Sequence, residues 1–320
     1  MAWTLPTIWM SAITYGSMIT ILSLGFTLTH MTAKIPNFAH GTYAGYGVYV
    51  TWTLVRVCHI FPYYGFPLAF LLGGLIGILL YNIVVNTLRR MGGGTIVLTI
   101  ATIAIQIFMS QGLHIFAYWS RETWGLMSMG FLLKQNDFQI MGFQGIFPAS
   151  ILIVAFTVIA LHWMLTRTKI GIAMKATAED PGLASVLGID INRIQVLSWF
   201  LTGGMAALAG AMVPMWFMGS PIVGGGLLSS CMAGSLLGGL DNIYGAVMGG
   251  FSIGVLEIIL TGSLQRWVGL WVGEYRPLVP MIMTILVLLV EPAGLSGALE
   301  RWRIGGGIGR LRERMGESKE

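Results

Sequence analysis

Long uncharged apolar stretches, separated by short polar connections, dominate the pattern of this chain. The first charged residue is Lys34, and none occurs between Arg56 and Arg89 or from Ile194 to Leu240. A helix that crosses a bilayer needs about 20 predominantly apolar residues, so the pattern predicts about eight or nine transmembrane helices. Their predicted positions are 7–30, 38–56, 66–88, 93–114, 148–166, 195–217, 222–238, 244–263 and 277–291.

The segment 222–238 decides whether the chain has eight or nine transmembrane helices. It is short and rich in glycine. Non-helical backbone inside a membrane has to be shielded by protein, because no water is there to satisfy its polar groups. The sequence therefore leaves open whether this segment crosses the bilayer or re-enters it.

Small residues recur four positions apart within the apolar segments. Examples are Gly73 with Gly77, and Gly250 with Gly254. This spacing lets the backbones of two helices approach closely. It predicts tight helix packing and identifies no function.

Composition agrees with the pattern and excludes a soluble globular protein. Hydrophobic residues make up 55% of the 320 positions and charged residues 10%, whereas a soluble domain has about 25% charged residues. We expect an all-α membrane domain over 1–295, with a hydrophilic connection at 167–193, and a tail at 296–320. The two cysteines, Cys58 and Cys231, form neither a disulfide framework nor a metal-binding spacing.

Basic residues predict how the helices are oriented. Lysine and arginine are concentrated on the cytoplasmic side of membrane proteins. If all nine segments cross, placing 167–193 in the cytoplasm also places Lys34, Arg89 and Arg90 there, with the basic residues of the tail. We therefore expect the N-terminus outside the cell and the C-terminus in the cytoplasm.

The connection at 167–193 contains the start and stop residues of a short helix, which we place at 178–189. Asp180 is a favourable N-cap, Pro181 suits the first helical position, and Gly188 is a natural stop. So short a helix is not stable alone in water, and must rest on the membrane domain or on a partner. Its apolar face consists of Leu183, Ala184, Val186 and Leu187.

Four motifs, in order, resemble the permease subunits of branched-chain amino acid ABC importers. Residues 174–189 resemble the coupling loop of that family, and residues 37–41 match its Asn-Phe-Ala-His-Gly signature. Residues 237–246 resemble its Leu-Gly-Gly-x-Gly-Ser-x-x-Gly-Ala stretch, with Asp241 and Asn242 in place of Gly-Ser. Residues 291–295 resemble its closing Pro-x-Gly-Leu segment.

The resemblance implies a permease bundle in a prokaryotic cell membrane, with a cytoplasmic helix that docks on an ATP-binding subunit. It implies a second permease subunit, two ATPase subunits and an extracytoplasmic solute-binding protein. The chain would form half of the path for branched-chain or related amino acids. The residues that the resemblance assigns to coupling are Ala178, Glu179, Asp180, Ala184, Leu187, Gly188 and Ile189.

The chain itself lacks the Gly-x-x-x-x-Gly-Lys-[Ser/Thr] phosphate loop of an ATPase. Gly92-Gly93-Gly94-Thr95 has no lysine and predicts a turn before a helix. We therefore expect no enzymatic activity and no cofactor in this chain, with ATP and Mg²⁺ used by the partner ATPase.

Polar residues inside the apolar segments are candidates for the translocation path. Glu257 lies within a predicted span, where an ionisable group is a functional candidate by default. It either lines the path or bonds a neighbouring helix. Asn37 and His40 are the other candidates, with the alternative that they hold an irregular helix start together. No His, Cys and Glu cluster has metal-ligand spacing.

The sequence is compatible with other functions. Related permeases also carry urea or short amides, and the sequence does not choose among these substrates or between a homodimer and a heterodimer. An ion-coupled secondary transporter or a channel has a similar composition, but would need more buried ionisable groups. An intramembrane aspartyl protease would need a second Asp in a span beside Asp241, and the sequence has none.

Overall fold

The computed structural model describes residues 7–140, 142–290 and 294, and nearly all of this part of the chain is helical. The helices are α1 (Thr7–Ala33), α2 (His40–Arg56), α3 (Gly65–Leu80), α4 (Asn86–Arg90), α5 (Thr95–Trp124), α6 (Ile146–Arg167), α7 (Lys169–Glu179), α8 (Pro181–Val186), α9 (Ile191–Met212), α10 (Val223–Gly238), α11 (Ile243–Trp267) and α12 (Leu278–Val290). Two short strands, β1 (Gln139–Ile140) and β2 (Phe143–Gln144), pair antiparallel. The tail at 296–320 and all of the closing 291–295 motif except Gly294 lie outside the described residues.

Six helical runs are long and apolar enough to cross a bilayer, and each of the nine predicted segments coincides with a helix. The six runs are Thr7–Ala33, Pro62–Arg90, Thr95–Trp124, Ile146–Arg167, Ile191–Met215 and Ile243–Trp267. Three other helices are shorter than the 18 residues of such a run. They are α2, which has 17 residues, and the apolar helices Val223–Gly238 and Leu278–Leu289. The helical fold is confirmed, and the number of spans stays a prediction.

The helix that contains the fourth predicted segment continues beyond residue 114. The helix α5 has 30 residues and continues to Trp124. Leu113, Ala117 and Ser120 are buried at helical spacing beyond the apolar stretch, so packing continues the helix there. It ends at Gly125, whose φ of +64° is the left-handed conformation typical of a helix C-terminus.

The first helix, α1, lies at the centre of the molecule. Of its most apolar 18-residue window, 94% is buried, against 17% for the same measure in α6. The helix α1 packs against α6, α9, α10 and α11. A helix that is apolar on all sides is expected to be buried on all sides, and α1 has no preferred apolar face.

Small residues bring α3 and α9 into backbone contact. A Cβ atom on Gly73 would collide with the Ala207 Cβ and the Gly203 carbonyl, and one on Gly77 would collide with the Trp199 carbonyl. The predicted spacing of small residues on α3 is therefore confirmed as a packing surface. This contact fixes the distance between two helices that lie far apart in the sequence.

Two ends of the bundle carry different polar groups. At the Arg276 end, the start of α1 meets the α5–α6, α9–α10 and α11–α12 connections. There the Trp216 Nε1 donates to Ser11 Oγ at 2.9 Å, and the Lys134 ammonium lies 4.4 Å from the centre of the Trp216 ring.

At the α8 end, the end of α1 meets α7, the end of α4 and the α10–α11 connection. Arg89 Nη2 donates to the Ala33 carbonyl at 3.2 Å, which holds the end of α4 beside the end of α1. The helix α7 contacts α1, α6 and α9, and α8 contacts α7 and α9. The two ends therefore lie at opposite ends of α1.

Candidate functional site

The connection between α6 and α9 forms two consecutive helices with well-defined caps. The Thr168 hydroxyl caps α7 by accepting a hydrogen bond from the Gly171 N–H at 3.1 Å. Asp180 caps α8, because its Oδ1 accepts from the Leu183 N–H at 3.0 Å. Pro181 follows at the first position of α8, where a missing N–H costs nothing.

The predicted single helix over 178–189 is divided in the structure. Ala178 and Glu179 are the last two residues of α7, and α8 begins after Asp180. Asp180 has an extended backbone, with φ −146° and ψ 102°. A residue before proline disfavours the helical conformation, so Pro181 enforces this break.

A tight turn ends α8 where the sequence predicted it. Gly188 has a φ of +84°, in the left-handed region that glycine adopts without strain. The Ile189 N–H donates to the Ala184 carbonyl at 3.0 Å, and the Leu187 N–H donates to the Leu183 carbonyl at 3.1 Å. These bonds satisfy carbonyls that would otherwise be free at the helix end.

The apolar face of α8 is divided between the interior and the surface. Ala184 is 1% exposed, so its methyl group packs against the protein's own bundle. Val186 and Leu187 are 84% and 71% exposed, and Leu183 is also exposed. Ala184 thus packs α8 against the bundle, while three apolar side chains of the same face point outward.

A buried carboxylate, that of Glu257 on α11, joins four parts of the Arg276 end. Its Oε1 accepts from Arg276 Nε at 2.7 Å and from the Tyr15 hydroxyl at 3.0 Å. Its Oε2 accepts from Ser230 Oγ at 2.7 Å. Tyr15 lies on α1, Ser230 on α10, and Arg276 just before α12. The structure thus shows bonds from Glu257 to neighbouring helices, and a role of Glu257 in lining the path stays a prediction.

Aromatic rings surround the cation of this pair. The Arg276 guanidinium carbon lies 4.0 Å from the centre of the Tyr15 ring and 5.5 Å from that of Phe217. The two rings meet edge to face, with centres 5.3 Å apart. A guanidinium over an aromatic face gains about 0.5–2 kcal/mol. The sequence marks Glu257 but not these partners, since they come from separate helices and connections.

Asn37 and His40 lie in the interior at the start of α2. The Asn37 Oδ1 accepts from the Ala39 N–H at 3.1 Å, and a His40 ring nitrogen bonds the Leu22 carbonyl of α1 at 2.9 Å. Both residues are at most 1% exposed. These contacts attach the start of α2 to α1. A role in translocation stays a prediction.

Asp241, the departure from the family pattern, has an ion-pair partner in the structure. Lys34 Nζ donates to Asp241 Oδ1 at 2.9 Å, and His30 Nδ1 lies 3.8 Å from the same oxygen. Both partners lie in the last turn of α1 or directly after it. The pair therefore joins the end of α1 to the start of α11. In the sequence, two opposite charges at predicted membrane edges are the signal for this pair.

Across the ranges that the structure describes, no three His, Cys, Asp or Glu side chains come together as metal ligands. The free cysteine Cys58 is exposed in the connection after α2, and the free cysteine Cys231 is buried in α10. The features described above, at both ends of the bundle, are therefore built from helix caps, ion pairs and hydrogen bonds.

Comparison with known proteins identifies the class of this bundle. Residues 8–288 match the family described as the branched-chain amino acid transport system / permease component. The match covers all the described helices except the last residues of α12 and the start of α1. The chain therefore belongs to this family of multi-pass membrane permeases, whose members are transport components.

Several curated relatives align over nearly their whole length. A probable branched-chain amino acid transport permease protein LivH of Methanocaldococcus jannaschii is 34% identical, over 89% of this chain and 90% of the relative. The high-affinity permease proteins LivH of Escherichia coli and BraD of Pseudomonas aeruginosa are each 25% identical over 91% of this chain, and over 94% and 95% of their own lengths. No solved structure matches the chain.

Proposed function

We propose that this chain is the permease subunit of an ATP-driven importer and forms half of the path for branched-chain or related amino acids. It pairs with a second permease subunit and with two ATP-binding subunits, and receives substrate from an extracytoplasmic binding protein. The relatives' names support the substrate class. ATP hydrolysis belongs to the partner subunits.

The observation that carries the proposal is the outward apolar face of α8. Leu183, Val186 and Leu187 are exposed, although they lie on a short capped helix at a polar end of the molecule. Exposed apolar side chains on a rigid element are typical of a contact with another protein. This face is the docking surface for the ATP-binding subunit.

The seating of α8 supports a mechanical role. Ala184 is buried, and α7 contacts α1, α6 and α9, so a push on α8 reaches the central helix. Nucleotide binding can drive transport only if it favours one arrangement of the membrane helices over the other. A rigid docking helix transmits that preference.

The proposal also fixes an orientation. The ATP-binding subunits are cytoplasmic, so the α8 end faces the cytoplasm and the Arg276 end faces outward. The N-terminus of α1 is then extracytoplasmic and the C-terminal tail cytoplasmic, as the distribution of basic residues predicts.

The decisive experiment reconstitutes the chain with its partner permease, the ATPase and the binding protein in proteoliposomes. We expect leucine-loaded binding protein to stimulate ATP turnover and to drive leucine uptake. Val186→Asp should abolish both while the permease still inserts. The matched control is Met91→Asp, since Met91 is 77% exposed in the α4–α5 turn at the same end.

Normal uptake by the Val186→Asp variant would contradict docking through α8. Ala184→Asp and Glu179→Lys also impair coupling on this proposal, but Ala184 is buried, so its loss of function includes a packing defect. Uptake of urea in place of leucine would leave the permease assignment intact and replace the substrate. Leucine uptake driven by an ion gradient without ATP would contradict the whole proposal.

A further inference from the structure

We infer that Arg276 is a contact residue for the substrate carboxylate at the outward end of the translocation path. This inference rests on the proposed function and deepens it, because it selects solutes that carry a carboxylate over urea or neutral amides. Its basis is the way Arg276 is placed and bonded.

Arg276 is the accessible member of the buried polar cluster at the Arg276 end. Its side chain is 26% exposed, whereas the side chain of Glu257 is 3% exposed. The residue lies in the connection between α11 and α12, at the margin of the bundle, and its side chain reaches inward to Glu257. A solute that approaches from outside therefore meets the Arg276 side chain before the Glu257 carboxylate.

The guanidinium has more donors than the protein supplies acceptors. Its Nε donates to Glu257 Oε1, but its Nη2 is buried and has no hydrogen-bond partner among the described residues. Glu257 Oε1 accepts from Tyr15 as well as from Nε, and Oε2 accepts from Ser230, so none of the hydrogen bonds of this carboxylate goes to Nη2. A buried donor without a partner is costly, and this cost disappears when a ligand provides the acceptor.

A carboxylate is the group that fits these donors best. The nitrogens of a guanidinium form a planar fork that matches the two oxygens of a carboxylate. The Tyr15 and Phe217 rings hold the plane of the guanidinium and add apolar surface beside it. An amino acid with an aliphatic side chain presents both the anion and the apolar part. Urea presents neither a charge nor an apolar part.

The competing role for Arg276 is purely structural, as the ion-pair partner that keeps Glu257 satisfied. The two roles differ in what happens when both charges are removed together. A structural pair becomes dispensable once Glu257→Gln has removed the buried charge. A substrate contact stays necessary whatever occupies position 257.

The test compares Arg276→Gln, Glu257→Gln and the double variant in the reconstituted importer. Initial leucine uptake and stimulation of ATP turnover by leucine-loaded binding protein are both measured. We expect Arg276→Gln and the double variant to lose uptake about tenfold to a hundredfold, the loss of a hydrogen bond to a charged group. Glu257→Gln, which keeps the guanidinium, should retain uptake within about threefold of wild type. Arg276→Lys, which keeps the positive charge, should recover part of the uptake that Arg276→Gln loses.

The control is Arg266→Gln, because Arg266 is an exposed arginine near the same end. It should leave uptake unchanged. If Arg276→Gln fails to assemble because Glu257 is left unpaired, the double variant, which carries no buried charge, still provides the test. Uptake by the double variant equal to that of Glu257→Gln would overturn the inference, as would normal uptake by Arg276→Gln. Absence of stimulation and uptake in the wild-type assembly would instead overturn the proposed function.

Discussion

Each end of the bundle contains an ion pair that joins separate elements, and these two pairs differ in burial. At the Arg276 end the pair is Arg276 with Glu257, with side chains 26% and 3% exposed. At the α8 end it is Lys34 with Asp241, 49% and 67% exposed. The N–O distances are similar, at 2.7 Å and 2.9 Å. Distance alone therefore does not distinguish them.

Burial changes what each pair does for the protein. A buried charge that loses its partner is left without solvation, at a cost of about 3–5 kcal/mol. An exposed pair is solvated with or without its partner and contributes about 0–1 kcal/mol. The Arg276 end is thus held in one arrangement, while the pair at the α8 end can open at little cost. Such a difference agrees with the proposal that the α8 end moves with an ATPase.

Removing the cation of the buried pair should have the largest effect. Arg276→Gln leaves Glu257 ionised and unpaired, so we expect the free energy of unfolding in detergent to fall by about 3 kcal/mol. The double variant Glu257→Gln/Arg276→Gln should regain most of this loss. Equal destabilisation by the single and double variants would show that the charges are not coupled.

Removing a neutral donor from the same cluster should cost less. Ser230→Ala deletes the hydrogen bond to Glu257 Oε2, and we expect a loss of about 1–2 kcal/mol, as for polar contacts between membrane helices. Ser263→Ala, at an exposed position on α11, is the matched control. A Ser230→Ala variant as stable as this control would mean that Oε2 finds another donor.

The cap between α7 and α8 tests the order of the α8 end. Asp180→Ala removes the acceptor of the Leu183 N–H, which should cost about 1 kcal/mol locally. Hydrogen exchange of the Leu183 amide should become faster by about fivefold, and Asp180→Ser should restore its protection. Unchanged exchange in Asp180→Ala would show that packing of Ala184 alone holds α8.

The exposed pair should show the smallest effect. Lys34→Met removes the bond to Asp241, and we expect the free energy of unfolding to change by less than about 1 kcal/mol. High salt should reduce the difference between wild type and variant further, since it screens exposed charges. A loss as large as that of Arg276→Gln would remove the contrast between the two ends.

Much of the architecture follows from short stretches of sequence. The positions of the nine apolar segments, the cap at Asp180, the first-turn Pro181 and the stop at Gly188 were all predicted, because each depends on neighbours within a few residues. Where a helix boundary differs from the predicted segment, a longer-range or competing effect decided it. Packing of Leu113, Ala117 and Ser120 extended α5, and the backbone preference before Pro181 divided the helix predicted over 178–189.

The sequence by itself determined that this is a bundle of apolar helices with a short capped helix between α6 and α9, since hydrophobic pattern and capping are local properties. It also marked Glu257 as unusual. Only the tertiary structure decided that Tyr15, Ser230 and Arg276 meet this carboxylate, and that Lys34 meets Asp241. Residues that lie up to 242 positions apart become neighbours only when helices pack. Which charge is buried and which stays exposed is therefore a property of the assembled bundle.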